Sequence, residues 1–379
     1  MAINLKGSET GTDQQPSDNA IRVMLVDDSA IIRGLIAKMI APDPGIVVVA
    51  SVADGAQAVK RMGRKDIDVV VLDIEMPVMD GLTALPKLIE LDPNVKIIMA
   101  STLTERNADI SLKALEAGAA DYVPKPTATG KIAGASEFRR EILEKIKSLG
   151  AGSRRDAGKT EPKAAVTAAP SSLYSGPVVL RQATNAAKPK ILAIGSSTGG
   201  PQALFKLFQS IRPVIGVPVV VTQHMPPMFT RILAEHIAKA AGWACTEAED
   251  GEVLEPNHAY VAPGDYHMEI VDGPSGAAIR VNQNPPENYC RPAIDPMLRS
   301  LAKTFGSRVL TVILTGMGSD GLKGGKVVTD AGGTLFAQDE ETSIVWGMPG
   351  AVAMAGLCSA VMPIEKLSAK VMEFMGKGG

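Results

Sequence analysis

The chain has 379 residues, a formal net charge of −2 and an apolar content of 45%, which suffices for two or three domains with real cores. The near-neutral charge and the lack of zinc-finger spacing argue against nucleic-acid binding, and no apolar run approaches the ~18 residues that direct membrane insertion needs. The odd number of scattered cysteines, three in all, favours reduced thiols in the cytoplasm over a disulfide framework.

The first part of the chain alternates regularly between short apolar strands and amphipathic helices. Residues 1–20 are mostly polar and predict a disordered leader without a secretion signal. Five strand–helix units then follow between residues 21 and 140. This alternation predicts a flavodoxin-like, doubly wound, five-stranded parallel sheet with helices on both faces. Ser29 precedes the first helix and is expected to cap its N-terminus.

Charged and hydroxyl side chains follow the strands of this predicted sheet. Asp27 and Asp28 follow the first strand, Asp73 ends the third, Ser101 ends the fourth and Lys125 follows the fifth. The carboxyl ends of parallel strands meet at one edge, so these side chains are expected to lie close together. Carboxylates at close range repel and need a cation, and Mg²⁺ suits a site of oxygen ligands.

This constellation and the segment VVLDIEMPVMDG resemble those of response-regulator receiver domains. The resemblance implies that Asp73 accepts a phosphoryl group from a sensor histidine kinase. It also implies that Asp28, Asp73 and the backbone carbonyl of Glu75 ligate Mg²⁺, while Asp27 helps to shape the acidic pocket.

The same resemblance assigns a phosphorylation switch. Ser101 and Lys125 would contact the phosphoryl group, whose charge and acceptor oxygens a hydroxyl and an ammonium can recognise. Tyr122, on the fifth strand, would be the aromatic switch residue.

Residues 141–188 are expected to contain the end of the last receiver helix and a linker, because they are rich in Ala, Gly, Ser, Pro and charge.

Residues 189–375 show a second alternation and predict an α/β domain with a mainly parallel sheet. It starts with KILAIGSSTGGPQ, which predicts a strand, a glycine-rich turn and a helix with proline in its first turn. Gly195, Ser197 and Gly199 fit the nucleophile-elbow spacing G-x-S-x-G. Two alternatives are an anion-binding turn at a helix N-terminus and a merely structural tight connection.

Two further side chains lie at the ends of predicted strands in this second domain. His224 follows the strand in VPVVVTQ, and Asp320 lies in the loop after SRVLTVIL. Ser197, His224 and Asp320 are therefore expected to converge at one sheet edge as a catalytic triad. Their order differs from the Ser-Asp-His order of α/β-hydrolases, which argues against an ordinary lipase. His236, within a predicted helix, is expected to be a surface or packing residue.

Several longer motifs in the second domain resemble those of one family. IGSSTGGP, VTQHMPP, EAEDGE, HAYVAPGDYHME, CRPAIDP, VILTGMGSDG and GMPGAV occur in this order. They resemble the catalytic domain of the chemotaxis protein-glutamate methylesterases, the CheB family. The resemblance implies that Ser197 is the nucleophile, that His224 is the general base and that Asp320 orients His224.

Three supporting residues are also implied by this resemblance. The backbone N–H of Met317 would be an oxyanion donor, Thr198 adjoins the nucleophile, and Arg291 would contact the substrate. The family commonly has Ala before the nucleophile, whereas this chain has Ser196. The spacing to the flanking glycines favours Ser197 as the attacking hydroxyl.

The resemblance to both families implies a phosphorylation-activated hydrolase of glutamate methyl esters that needs no cofactor for ester hydrolysis. Its substrate would be the cytoplasmic helical region of methyl-accepting chemoreceptors, and deamidation of receptor glutamines is also implied. The expected location is the cytoplasm, where the histidine kinase acts. One alternative is a receiver that regulates a non-enzymatic output or adaptor, and another is a hydrolase of a different ester.

Overall fold

The structure is a computed structural model that describes residues 19–102, 104–125, 132–158, 174, 176–182, 188–211 and 215–376. The predicted disordered leader, apart from its last two residues, lies outside these ranges. No helix within them is both long enough and apolar enough to cross a membrane. Two parallel sheets, one in each half of the chain, organise the described residues.

The described residues of the N-terminal domain form a five-stranded sheet and five helices. Its strands are β1 (Ile21–Val26), β2 (Ile46–Val52), β3 (Val69–Asp73), β4 (Lys96–Ser101) and β5 (Asp121–Pro124). Its helices are α1 (Ala30–Ile40), α2 (Gly55–Met62), α3 (Gly81–Leu91), α4 (Glu105–Glu116) and α5 (Ile132–Gly158). The strand order is β2-β1-β3-β4-β5 and every pairing is parallel, which confirms the doubly wound flavodoxin-like prediction.

Local sequence signals account for where these elements begin and end. The Ser29 hydroxyl accepts a hydrogen bond of 3.4 Å from the N–H of Ile32, so the predicted cap of α1 is confirmed. β3 is an uninterrupted apolar run before its final acid, and all its residues are buried, as expected for a central parallel strand. α5 continues to Gly158, so the first part of the predicted linker is helical rather than irregular.

Nine strands of the C-terminal domain lie within the described residues. They are β6 (Ile191–Ser196), β7 (Val219–Gln223), β8 (Cys245–Glu247), β9 (Ala259–Val261), β10 (His267–Gly273), β11 (Gly276–Asn282), β12 (Val309–Ile313), β13 (Thr334–Gln338) and β14 (Ala360–Met362). Seven of them form a parallel sheet in the order β14-β13-β12-β6-β7-β9-β8, and β10 and β11 form an antiparallel hairpin. A mainly parallel α/β sheet was predicted and is confirmed.

In the part of the chain that the structure describes, six α-helices cover this second sheet. They are α6 (Gly200–Ser210), α7 (Phe229–Ala241), α8 (Ile294–Phe305), α9 (Leu322–Asp330), α10 (Met348–Met354) and α11 (Ile364–Phe374). The neighbouring strands β12, β6 and β7 are buried along their whole length at the centre of the sheet. The loops that follow these three strands therefore meet at one edge, which is where ligands bind in open α/β sheets.

A short stretch before the second domain packs on it. The ring of Tyr174 meets the Trp346 indole edge-on, with centroids 6.3 Å apart. The N–H of Arg181 donates a hydrogen bond of 2.8 Å to the carbonyl of Cys358. Part of the stretch that was predicted as linker is thus attached to the C-terminal domain.

The two domains also pack against each other. The Tyr122 ring on β5 stacks on Phe229 of α7, with centroids 4.6 Å apart and planes inclined by 11°. A buried apolar cluster joins Phe138 and Ile142 of α5 to Val345 of the second domain. The contact face of the N-terminal domain is therefore formed by α4, β5 and α5.

Candidate active site and phosphorylation site

The glycine-rich turn after β6 presents one of its two serines to the sheet edge. Ser196 is the last strand residue, is fully buried, and donates a hydrogen bond of 2.6 Å from its hydroxyl to Oε1 of Gln223. Ser197 follows in the turn and is only half-buried. Gly199 ends the turn with φ of 73°, a left-handed conformation that glycine adopts without strain. The turn therefore holds Ser196 in the structure and presents the Ser197 hydroxyl.

The structure brings Ser197, His224 and Asp320 together. Ser197 Oγ lies 3.2 Å from Nδ1 of His224, and Nε2 of the same ring lies 2.8 Å from Oδ2 of Asp320. When the ring is neutral and its proton is on Nε2, directed at the carboxylate, Nδ1 can accept the serine proton. In the serine-protease template Nε2 faces the serine and Nδ1 faces the aspartate, so the two ring nitrogens have exchanged places here. The proton transfer from serine to imidazole is chemically equivalent.

Asp320 is almost completely buried, at 1% exposure, and is surrounded by donors. Besides His224, the backbone N–H groups of Ile294 (2.7 Å), Asp295 (3.1 Å) and Gly321 (3.0 Å) donate to its carboxylate. Burial by itself raises the pKa of Asp320, but the hydrogen bond and charge of His224 and these N–H groups lower it below its ordinary value. Asp320 is consequently held as an anion in one orientation.

The surroundings of His224 favour the imidazolium. Burial lowers the pKa of His224, whereas the contacts with Cys290 and Asp320 together raise it to about 10. Cys290 Sγ lies 3.4 Å from Nδ1, the same nitrogen that faces Ser197. The thiol is thus a second neighbour of the nitrogen that must take the serine proton.

Two unused backbone donors lie beside the nucleophile. Within the described residues, neither the N–H of Thr198 nor that of Met317 has a hydrogen-bond partner. Gly316 brings the second loop close, since a Cβ at this position would lie 2.9 Å from Cβ of Ser197. Free N–H groups near a nucleophile are what an oxyanion hole requires.

Arg291 lies away from the triad contacts. Its guanidinium donates to the Asp265 carboxylate, with Nη2 2.7 Å and Nε 3.1 Å from Oδ1. Nη1 donates to the carbonyls of Gln283 (3.1 Å) and Asn284 (3.2 Å). In this structure Arg291 therefore ties a loop together, and its predicted contact with substrate stays a prediction.

The acidic pocket of the N-terminal domain forms as the strand-end argument predicts. Carboxylate oxygens of Asp27, Asp28 and Asp73 lie within 4.8 Å of one another. Lys125 Nζ lies 2.6 Å from Oδ2 of Asp27 and 2.6 Å from Oδ1 of Asp73. Burial raises the pKa of Asp73 to about 6 despite the opposing effect of Lys125.

A cavity of about 300 Å³ opens at this pocket and is lined by Asp28, Asp73, Glu75, Ser101 and Lys125, among others. Three carboxylates offer hard oxygen ligands to a small divalent cation, so the residues fit Mg²⁺. Tyr122 lies on β5, next to the strand that ends in Ser101, and is buried at 4% exposure beneath the second domain.

Some residues at the triad were not found from the sequence. Gln223 donates from Nε2 to the Ser197 carbonyl at 2.9 Å and thereby holds the turn. Asn288 and Cys290 also reach the triad, from the segment between β11 and α8. Their proximity to one another in sequence, at the start of CRPAIDP, was the only available signal.

The fold and these two sites define a response regulator with a hydrolase-type output domain. Residues 23–137 match the response regulator receiver domain, and residues 192–371 match the CheB methylesterase. A protein-glutamate methylesterase/protein-glutamine glutaminase of Paramagnetospirillum magneticum is 52% identical over 96% of this chain and 98% of its own length. One of the same description from Azospirillum brasilense is 53% identical over 94% and 93%, respectively. The chain therefore belongs to the CheB family of two-domain protein-glutamate methylesterases.

Solved structures of each half are also similar. The CheB methylesterase catalytic domain of Thermotoga maritima is 40% identical, with a TM-score of 0.48, over 49% of this chain and 99% of that one. The response regulator domain of Thermotoga maritima CheB is 36% identical, with a TM-score of 0.31, over 38% of this chain and 99% of that one.

Proposed function

We propose that this chain is a phosphorylation-activated protein-glutamate methylesterase, and also a protein-glutamine glutaminase, of a chemotaxis-type pathway. The observation that carries the proposal is the continuous contact from Ser197 Oγ through the His224 ring to Asp320, at 3.2 Å and 2.8 Å. Family membership supports the activity. The substrate is a methylated glutamate, or a glutamine, on the cytoplasmic part of a chemoreceptor, which places the enzyme in the cytoplasm.

The reaction is acyl transfer to water. Ser197 Oγ attacks the γ-carbonyl carbon while His224 Nδ1 takes its proton, and the N–H groups of Thr198 and Met317 donate to the oxyanion. The imidazolium, stabilised by Asp320, then protonates the leaving methoxide, and methanol departs. Water attacks the acyl-serine with His224 again as base, which releases the glutamate and restores the serine. With a glutamine substrate the leaving group is ammonia.

The acidic pocket accepts the phosphoryl group at Asp73 from a sensor histidine kinase. Asp28, Asp73 and the backbone carbonyl of Glu75 would hold Mg²⁺, and the bound cation would neutralise negative charge around the phosphoryl group. Lys125, which contacts Asp73 in the unmodified chain, would turn to a phosphoryl oxygen, and Ser101 would donate to another.

The contact between the domains supports an inhibitory role for the unphosphorylated receiver. Met317, whose N–H is an oxyanion donor in this proposal, packs against the apolar cluster that joins α5 to the second domain. The guanidinium carbon of Arg140 lies 4.5 Å from the ring centroid of Tyr289, two residues before Arg291. The docked receiver thus leaves little room at the triad edge for a bulky receptor helix.

Phosphorylation is then proposed to weaken this docking. Tyr122 lies on the strand next to the one that ends in Ser101, and its ring is half of the stack with Phe229. Phosphorylation adds charge at Asp73, which draws in Ser101 and Lys125. Their movement changes the side-chain contacts that Tyr122 makes. That local change biases a two-state interface, and its effect is limited by the difference in docking affinity between the two states.

The direct test measures methanol release from membranes that carry methylated chemoreceptors. Ser197→Ala should abolish release, and Ser196→Ala, which removes only a buried structural hydroxyl, should retain most of it. The opposite outcome would show that the nucleophile is misassigned. No release from any methylated receptor by the phosphorylated parent chain would favour the non-enzymatic alternative.

A truncated chain tests the inhibition separately. Because Tyr174 packs on Trp346, the fragment should start at residue 173 rather than at the first strand of the second domain. It is expected to release methanol without a phosphodonor. A fragment no faster than the unphosphorylated full chain would mean that the receiver assembles the site or recruits the receptor instead.

A further inference from the structure

A second buried carboxylate lies beside the one that contacts His224. Asp295, in the first turn of α8, is fully buried. Its Oδ1 accepts hydrogen bonds from the N–H groups of Gly321 (3.1 Å) and Gly324 (2.6 Å) at the start of α9. Burial and the nearby charge of Asp320 raise its pKa. Two acidic groups therefore share one dry environment immediately behind the imidazole.

A single side chain links the two acids. Nδ2 of Asn288 lies 2.8 Å from Oδ1 of Asp320 and 3.1 Å from Oδ2 of Asp295. Within the described residues, no other side chain has hydrogen bonds to both carboxylates. The Asn288 residue as a whole is exposed and its φ is 52°, so its amide reaches inward from a surface loop in a left-handed conformation.

We propose that Asn288 is a positioning residue for ester hydrolysis, whose amide bridges Asp320 and Asp295 and keeps the Asp320 carboxylate charged and aligned with His224 Nε2. The proposal rests on the triad assigned above. Asn288 does not touch the reacting atoms; it acts through Asp320.

The physical reason is the repulsion between like charges in a buried site. Two neighbouring carboxylates cannot both ionise without compensating donors, and one of them otherwise takes up a proton. The Asn288 amide supplies a donor to each acid at once. Without the amide, a proton taken up by the pair of acids is more readily shared with Asp320. Asp320 then carries less negative charge and stabilises the imidazolium less well. The backbone donors to Asp320 remain, so its position is retained while its charge is compromised.

The expected effect follows from a hydrogen bond to a charged, buried acceptor. Such bonds change equilibria by ~10–100-fold when the donor is removed. Asn288→Gly removes the amide but tolerates the positive φ, so the loop should keep its shape. In the full chain activated by a phosphodonor, kcat should fall by ~10–100-fold. KM should change by less than about twofold, because the amide does not contact the substrate.

The pH profile separates positioning from a structural role. Asn288→Gly should move the acid limb of kcat to higher pH, since Asp320 is protonated more easily. Asn288→Asp should be impaired most at high pH, where it adds a third carboxylate. Relative to the parent, it should recover as pH falls and the new acid can donate its own proton. Asn284→Ala, which changes another exposed asparagine of the same loop, should keep the parent profile.

Several outcomes would overturn the proposal. If kcat of Asn288→Gly stayed within about twofold of the parent value, the Asn288 amide would not be needed for hydrolysis. A loss of kcat with an unshifted pH profile, or a loss that appears only in KM, would leave Asn288 a structural or substrate-side residue. Thermal unfolding of each variant shows whether it is folded, and Asn288→Asp remains informative if the glycine variant is not. If Ser197→Ala retained hydrolysis, the triad itself would be wrong, which is a separate failure.

Discussion

His236 holds the two domains together in a way that can be tested quantitatively. It lies on α7, and its ring faces two acids of α4, with Nδ1 2.9 Å from Oε1 of Glu116 and Nε2 3.0 Å from Oδ1 of Asp109. The imidazole ring presents one nitrogen to each acid, so His236 bridges two side chains of α4. His236→Gln keeps a polar side chain of similar reach but cannot present two ring nitrogens, so it loses at least one of the two contacts.

The magnitude follows from exposure. The His236 side chain is 15% exposed, but the side chains of Asp109 and Glu116 are 38% and 47% exposed, so solvent screens both pairs. Exposed contacts of this kind contribute ~0.2–1 kcal/mol each, so the two together contribute ~0.4–2 kcal/mol. That energy corresponds to a ~2–30-fold shift of the docking equilibrium toward the open form. Methanol release by unphosphorylated His236→Gln should therefore rise ~2–30-fold above the parent rate.

The assay compares unphosphorylated and fully phosphorylated full-length chains on methylated receptor membranes. The phosphorylated rates should be equal, because the contact is already released. His258→Gln, which changes a histidine that hydrogen bonds to Thr246 within the second domain, is the matched control and should change neither rate. Replacing Asp109 and Glu116 by their amides should raise the basal rate similarly, and combining these changes with His236→Gln should add little. An unchanged basal rate, or fully additive effects of the His236 and acid substitutions, would show that this contact does not hold the domains together.

Three further predictions concern the catalytic and acidic sites. Cys290→Ser should move the acid limb of kcat/KM to lower pH, since the contact with Cys290 helps to raise the pKa of the catalytic imidazole. The imidazole must lose its proton before it can act as base, so an unmoved limb would contradict this. Gly200→Ala should abolish activity because its Cβ would lie 1.9 Å from Oε1 of Gln223. Gly34→Ala, whose Cβ would have no atom within 4 Å, is the control and should keep activity and Tm. Retained activity in Gly200→Ala would show that the turn tolerates a shift. Asp73→Asn should leave basal methanol release unchanged and remove its stimulation by a phosphodonor, and a variant that is still stimulated would place the phosphoryl group elsewhere.

Much of the architecture follows from the sequence because its signals are local. Apolar runs of five or six residues followed by glycine, serine or acid define strands and their carboxyl ends, and caps such as Ser29 define helix starts. Once the strands are taken as parallel, their carboxyl ends must share an edge. That rule predicts that Ser197, His224 and Asp320 meet at one edge of the second sheet. It likewise predicts that the three acids and Lys125 meet at one edge of the first sheet.

Tertiary structure decided what lies beside those strand ends. Cys290 and Asn288 come from an irregular loop with no periodicity, and Cys290 meets an imidazole 66 residues away in the chain. His236 looked like an ordinary helical surface residue until the partner helix, 127 residues before it at Asp109, was in place. Hydrophobic period and strand-end rules describe each element and the order of a sheet. They contain no information on how loops fold over an edge or how two finished domains dock, because these depend on side-chain contacts between distant segments.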